Sequence, residues 1–223
     1  MTHEFVHMGV ASLADEHHWL EEGLAIYVEP IARAQDGQLT AEKVWRAVVS
    51  GMPKGSASTR RPRPRRDAHL GPDVLGRRNA LLCLVADVEI RQATGNRKGL
   101  QDALRAIVAA GATINTDSAL PLILHIGDQA TGTTVLSDLY QRWKDTPVNV
   151  NLDQLWRDLG VRTGPNGIDF DDDAPLAQVR RLQGHRSRNN PDEPPIGEIM
   201  SPAPGSLIGA GDRFVWVREQ RCR

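Results

Sequence analysis

The chain has 223 residues, with 27 Lys and Arg against 28 Asp and Glu and a formal net charge of −1. A charge this balanced gives no global attraction to nucleic acid or to an anionic membrane, and two cysteines, Cys83 and Cys222, are too few for a disulfide framework. Hydrophobic residues make up 40%, enough for a core, but the longest apolar runs, such as residues 80–88, are too short and interrupted to span a bilayer.

Residues 3–14 predict a helix that begins abruptly, with no signal-peptide pattern before it. It carries His3, Glu4 and His7 in the pattern H-E-x-x-H. Positions i and i+4 share one face of a helix, so both imidazoles can address one metal ion. Glu4 lies beside them, where its carboxylate can take a proton from a metal-bound water. Zinc lowers the pKa of such a water to about 7. A catalytic zinc site uses three protein ligands and leaves one position open, so a third ligand must come from elsewhere.

Residues 19–34 predict a second helix, with Pro30 as a kink or stop near its end. It supplies two candidate ligands, Glu21 and Glu22. Helical phase does not separate them, since both have apolar neighbours at i+3 and i+4. His17 and His18 flank the turn into this helix and are rival ligands. Residues 41–51 predict a short helix with Thr40 as N-cap and Gly51 as stop. Residues 52–78 change character: they hold many Pro, Gly and Arg, show no apolar period and predict an irregular loop. No aromatics interleave the basic run, so it does not read as a nucleic-acid surface.

Residues 79–93 are strongly helical, with Cys83 as a plain core residue. Asp87, Glu89 and Arg91 read as a solvated or ion-paired face of that helix. Residues 99–111 follow as an amphipathic helix with Leu100, Leu104, Ile107 and Val108 on one side. Residues 118–130, 133–143 and 151–160 predict three more helices, the last opening on an Asn151 cap. Residues 167–171 predict one short strand. Beyond about residue 181 the text turns rich in Pro, Asn and Arg, and residues 182–223 are expected to be a disordered tail.

Residues 19–29 resemble the W-L-x-E-G-x-x-x-Y-V-E helix of the gluzincin metallopeptidases, a clan with a peptidase MA-like fold that includes aminopeptidases. The matching residues are Trp19, Leu20, Glu22, Gly23, Tyr27, Val28 and Glu29. Residues 84–108 are similar to a helix pair of related bacterial peptidases, in which L-D-x-E-I-R-x-x-T-G precedes the second helix. Residues 170–181 resemble their closing segment. The resemblance implies a mainly α, zincin-like helical domain over residues 1–181, lacking the N-terminal sheet layer that edges the cleft in relatives. It also implies zinc held by His3, His7 and Glu22, Glu4 as general base, and a peptide or protein as substrate. Relatives are often exported. Fourteen residues separate His7 from Glu22, fewer than the aminopeptidases use, which calls for a tight connection.

The resemblance lapses at one place. Relatives carry a tyrosine just before the helix that matches residues 79–93, and such a hydroxyl stabilises the oxyanion of the tetrahedral intermediate. Here residues 76–80 read Gly-Arg-Arg-Asn-Ala. One GC-rich spelling of residues 67–78, read one base later, gives Thr-His-Thr-Trp-Gly-Arg-Thr-Tyr-Trp-Gly-Gly, close to the family pattern. Two readings of function follow. One is a zinc metallopeptidase impaired by the missing donor. The other is a peptidase-derived helical domain that acts only by binding.

Overall fold

A helix that is apolar around most of its surface has to be covered around most of it. Residues 80–90, with only Asp87 and Glu89 charged, come close to that condition, and the fold is arranged around them. The computed structural model describes residues 3, 6–7, 9, 12–14, 17–52, 56–59, 72–112, 119–144, 148–164 and 167–184. Eight helices follow one another among them: α1 (His18–Gln35), α2 (Ala41–Gly51), α3 (Pro72–Thr94), α4 (Leu100–Ala109), α5 (Leu120–Thr131), α6 (Val135–Trp143), α7 (Leu152–Leu159) and α8 (Ala177–Gly184). The protein is mainly α, and no described helix is long and apolar enough to cross a membrane.

The central helix is α3. Ala80 to Leu84, Ala86, Val88 and Ile90 are all buried. Helix α1 packs along it through Leu24, Ala25, Tyr27, Val28 and Ile31, whose spacing of three and four marks one helical face. The expectation of a kink or stop at Pro30 is corrected in one respect: α1 continues for five residues past it. Pro30 removes one backbone donor, but Tyr27, Val28 and Ile31 around it are buried in the core and hold the helix across the gap.

Two further expectations shift. Residues 3–14 are not one helix. His3, Val6 and His7 are helical, Gly9 turns with its N–H donating to the Val6 carbonyl at 3.1 Å, and Leu13 and Ala14 lie outside the helix. Nor are residues 52–78 irregular throughout. Ser56–Thr59 form β1, paired antiparallel with β2 (Val148–Asn151), Ser56 opposite Asn151 and Thr59 opposite Val148. Helix α3 already begins at Pro72, a residue suited to the first helical position. Residues 60–71, and with them the first five residues of the frame-shift reading, lie outside the described residues, as does the tail beyond residue 184.

The expected strand at residues 167–171 is β4 (Gly167–Phe170), and it forms a hairpin with β3 (Val161–Gly164). Gly160 ends α7 at φ +68°, and any Cβ there would strike the Asp171 carbonyl, so only glycine fits this left-handed cap. Thr40 accepts from Lys43 N–H at 3.3 Å and Asn151 from Gln154 N–H at 3.0 Å, the two caps read from sequence.

Asp87 is buried, not solvated, and so is Arg91. The Asp87 carboxylate accepts from Tyr27 Oη at 3.0 Å on α1, from Arg91 Nε at 3.1 Å on its own helix, and from Leu100 N–H at 2.7 Å at the first turn of α4. Arg91 Nη2 donates onward to Gln101 Oε1 at 2.7 Å. Glu89 lies on the outer side and pairs with Arg142 Nη2 at 2.9 Å.

Two outcomes follow. Asp87→Ala strips a buried guanidinium of its counter-charge and should lower the free energy of unfolding by about 3–5 kcal/mol, against about 1–2 kcal/mol for Tyr27→Phe, both read from urea denaturation. The second concerns alkali. Burial, helped by the Asp87 charge, holds the Tyr27 hydroxyl well above its usual value, and burial pushes the Cys83 thiol up from 9.0 to about 12. Both groups stay protonated in the folded chain while the unfolded chain ionises. Their contribution is therefore complete below pH 9.0 for Cys83 and below 10.0 for Tyr27, and each is lost as pH rises beyond its own threshold, at about 1.4 kcal/mol per pH unit for each group. Denaturation midpoints between pH 8 and 11, to the nearest unit, should fall, and Cys83→Ala should flatten the first part of that fall.

Candidate metal centre

The third candidate ligand is decided by how α1 is rotated. Tyr27 faces the core and is tied to Asp87, which leaves Glu21 and Glu22, one helical step apart, aimed at different neighbours. Glu21 turns under the N-terminal segment. Its Oε1 accepts from Leu13 N–H at 2.6 Å and its Oε2 lies 2.8 Å from His18 Nδ1. Glu22 faces the helical turn that carries His3 and His7.

There the donors converge. His3 Nε2 and His7 Nε2 are 3.1 Å apart, with the rings edge to face at 72° and centroids 4.8 Å apart. Glu22 Oε2 is 3.5 Å from His3 Nε2, and Glu22 Oε1 is 3.3 Å from His7 Nε2. All three residues offer a ligand atom within 4.8 Å of the others. The spacing carries chemical content. Zinc bonds of about 2.0–2.1 Å at tetrahedral angles separate neighbouring donors by about 3.3 Å; the two imidazole nitrogens stand close to that spacing, and each meets a different oxygen of Glu22, so a small turn of the carboxylate would bring one oxygen to both. Two imidazoles and one carboxylate are also a donor set that zinc accepts at catalytic sites. The side chains of His3, His7 and Glu22 are 29%, 17% and 40% exposed, so one side of the cluster faces solvent, as an open coordination position requires.

Glu29 was not singled out as a functional residue by sequence, although it closes the α1 motif. It stands seven residues after Glu22, on the same face of α1. Its Oε2 is 4.0 Å from His3 Nδ1, and Arg33 Nη1 lies 3.3 Å from its Oε1. A carboxylate behind an imidazole favours the tautomer with the proton on the near nitrogen and leaves the far nitrogen free to bind metal. The signal for it was the i, i+7 spacing from Glu22.

The other candidates fall elsewhere. His18 is exposed, its Nδ1 is engaged by Glu21, and its Nε2 reaches only to 3.8 Å from Glu22 Oε1, at the margin of the cluster. His17 stacks edge-on against Tyr140 at 5.9 Å. Glu4 lies outside the described residues. The chain has two tyrosines. Tyr27 is buried with its hydroxyl on Asp87, and Tyr140 rests against His17. In comparisons with known proteins, no family model, no curated protein and no solved structure matches the chain.

Proposed function

We propose that this chain is a zinc-dependent peptide hydrolase of the gluzincin type with a zincin-like helical domain, in which His3, His7 and Glu22 hold the metal and Glu4 is the base. The observation that carries the reading is the convergence of two imidazole nitrogens and one carboxylate at 3.1, 3.3 and 3.5 Å. The recognised sequence patterns of both helices support it.

Zinc bound there would acidify a water molecule and polarise a peptide carbonyl. The chain's own residues do the rest. His3 and His7 present Nε2 lone pairs from consecutive turns of one helical segment. Glu29, braced by Arg33, stands 4.0 Å from His3 Nδ1, where a small approach would let it orient that ring. Glu4, beside His3 in sequence, takes the proton of the attacking water on its carboxylate and delivers it to the departing amine nitrogen.

The fate of the tyrosines favours a second reading, a peptidase-derived helical domain that acts only by binding. The hydroxyl of Tyr27 is committed to Asp87, and residues 52–78 contain no tyrosine. The hydrolase reading therefore includes weak turnover.

Metal analysis of the purified chain should find about one zinc per chain. His7→Ala and Glu22→Gln should lose it, and Glu21→Gln should keep it. Unchanged zinc in both ligand variants would remove the metal centre. Turnover of fluorogenic peptides should lie about 100- to 1000-fold below that of a gluzincin with its oxyanion donor in place. Glu4→Gln should abolish that residual rate with zinc retained. Peptide binding without any rate that depends on Glu4 would instead establish the second reading.

A further inference from the structure

A third imidazole stands beside the cluster and has no part in the hydrolytic reading. His18 opens α1 and shares a helical face with Glu22, four residues on. Its Nδ1 lies 2.8 Å from Glu21 Oε2. An ionised carboxylate only accepts, so Nδ1 carries the hydrogen of the neutral ring and Nε2 keeps its lone pair. Glu21 is a fixed post: its side chain is 11% exposed, and its other oxygen accepts from Leu13 N–H at 2.6 Å. A carboxylate behind an imidazole is the arrangement that prepares histidine for a metal ion. His18 has it at 2.8 Å, whereas the carboxylate behind His3 stands at 4.0 Å.

The other ring nitrogen is turned toward Glu22. His18 Nε2 is 3.8 Å from Glu22 Oε1, a little beyond the spacing of about 3.3 Å between neighbouring zinc donors. It is not among the atoms that already lie within 4.8 Å of one another, which belong to His3, His7 and Glu22. A short inward swing is therefore needed, and a side chain 62% exposed has the room for it. We propose that His18 is a fourth, exchangeable ligand of the metal centre, closing on zinc when no substrate is bound and giving way when one arrives. The proposal rests on the hydrolase reading for the metal and the substrate. Glu21 then has the task of orienting His18. Closure adds one bond to zinc and blocks the open position. A single closing equilibrium thus governs two affinities in opposite directions: zinc is held more tightly, and any outside ligand more weakly, by the same factor.

The test uses the full chain. Zinc affinity is measured by competition with a chromophoric chelator. Acetohydroxamate is titrated into the cobalt(II)-loaded chain and followed by the visible spectrum of the metal. Hydrolysis of fluorogenic peptides is measured at saturating zinc. His18→Ala should bind zinc about tenfold more weakly, the low end of what a lost supporting contact costs at a metal site, and should bind acetohydroxamate about tenfold more tightly. His18→Asn should behave in the same way. Its amide can keep the contact with Glu21 but presents nothing at the position of Nε2, so it separates a lost ligand from a lost contact within α1. Peptide turnover should rise in both variants. A purely structural role for His18 would instead weaken zinc and acetohydroxamate together. Joint weakening, unchanged affinities in both variants, or a His18→Asn chain that matches the parent overturns the proposal, and the hydrolase reading stands as long as His7→Ala and Glu22→Gln lose zinc. A parent chain that takes up no zinc sinks the metal centre itself, and the role of His18 with it.

Discussion

The rest of the structure depends on one buried carboxylate. An ionised Asp87 in the core is tolerable only if its oxygens are bonded, because an unpaired buried charge is among the most costly features a fold can contain. It draws donors from three helices at once: Tyr27 on α1, Arg91 on α3 and the first-turn Leu100 N–H of α4. Apolar packing between α1 and α3 is non-directional and tolerates small rotations. A hydrogen bond from Tyr27 to a fixed oxygen tolerates far less. The junction therefore sets the angular position of α1, and with it which of two adjacent glutamates faces His3 and His7.

That selection explains how a single helix serves two purposes within two residues. Glu21 is almost covered and ties down Leu13 and His18, so it organises the chain that leaves the histidine-bearing turn. Glu22, further exposed, completes the cluster of donors. Exchanging their roles would require α1 to rotate by about 100°, which would carry Tyr27 away from Asp87 and turn Leu24 out of the core. The tie between Glu21 and Leu13 also meets the need, raised by the short interval between His7 and Glu22, for a close connection between the two segments.

Periodic features were legible in the sequence. Helices α2 to α7 were all expected from the sequence, α3 only from residue 79 although it begins at Pro72, and the Thr40 and Asn151 caps were read from residue type, because local hydrogen bonding and one buried face determine them. The misses have physical causes too. Ser56–Thr59 has no apolar alternation and becomes a strand only because Val148–Asn151 pairs with it across a long stretch of sequence, which no local pattern reveals. Pro30 signals a break, but burial on both sides of it outweighs the lost donor. Asp87, Glu89 and Arg91 were read as a solvated or ion-paired face; the ion pairs are present, and only the burial of Asp87 and Arg91 escaped notice, since an i, i+4 pair reads the same on a wet face as in a core. The pairing of His3 with His7 was legible as a motif, whereas the choice of Glu22 over Glu21 as their neighbour needed either the resemblance or the three-dimensional rotation of α1.

On the proposed reading, α1 is a partition with a polar and an apolar flank. Glu22 and Glu29 stand on one side, and Leu20 and Leu24 on the other. A helix is stiff about its axis, so the two flanks turn together. Whatever fixes α1 in rotation therefore fixes where Glu22 and Glu29 stand relative to His3 and His7, so the donor cluster is held by contacts made on the opposite flank. The Asp87 junction lies on that opposite flank, and through Tyr27 it keeps the polar flank in register.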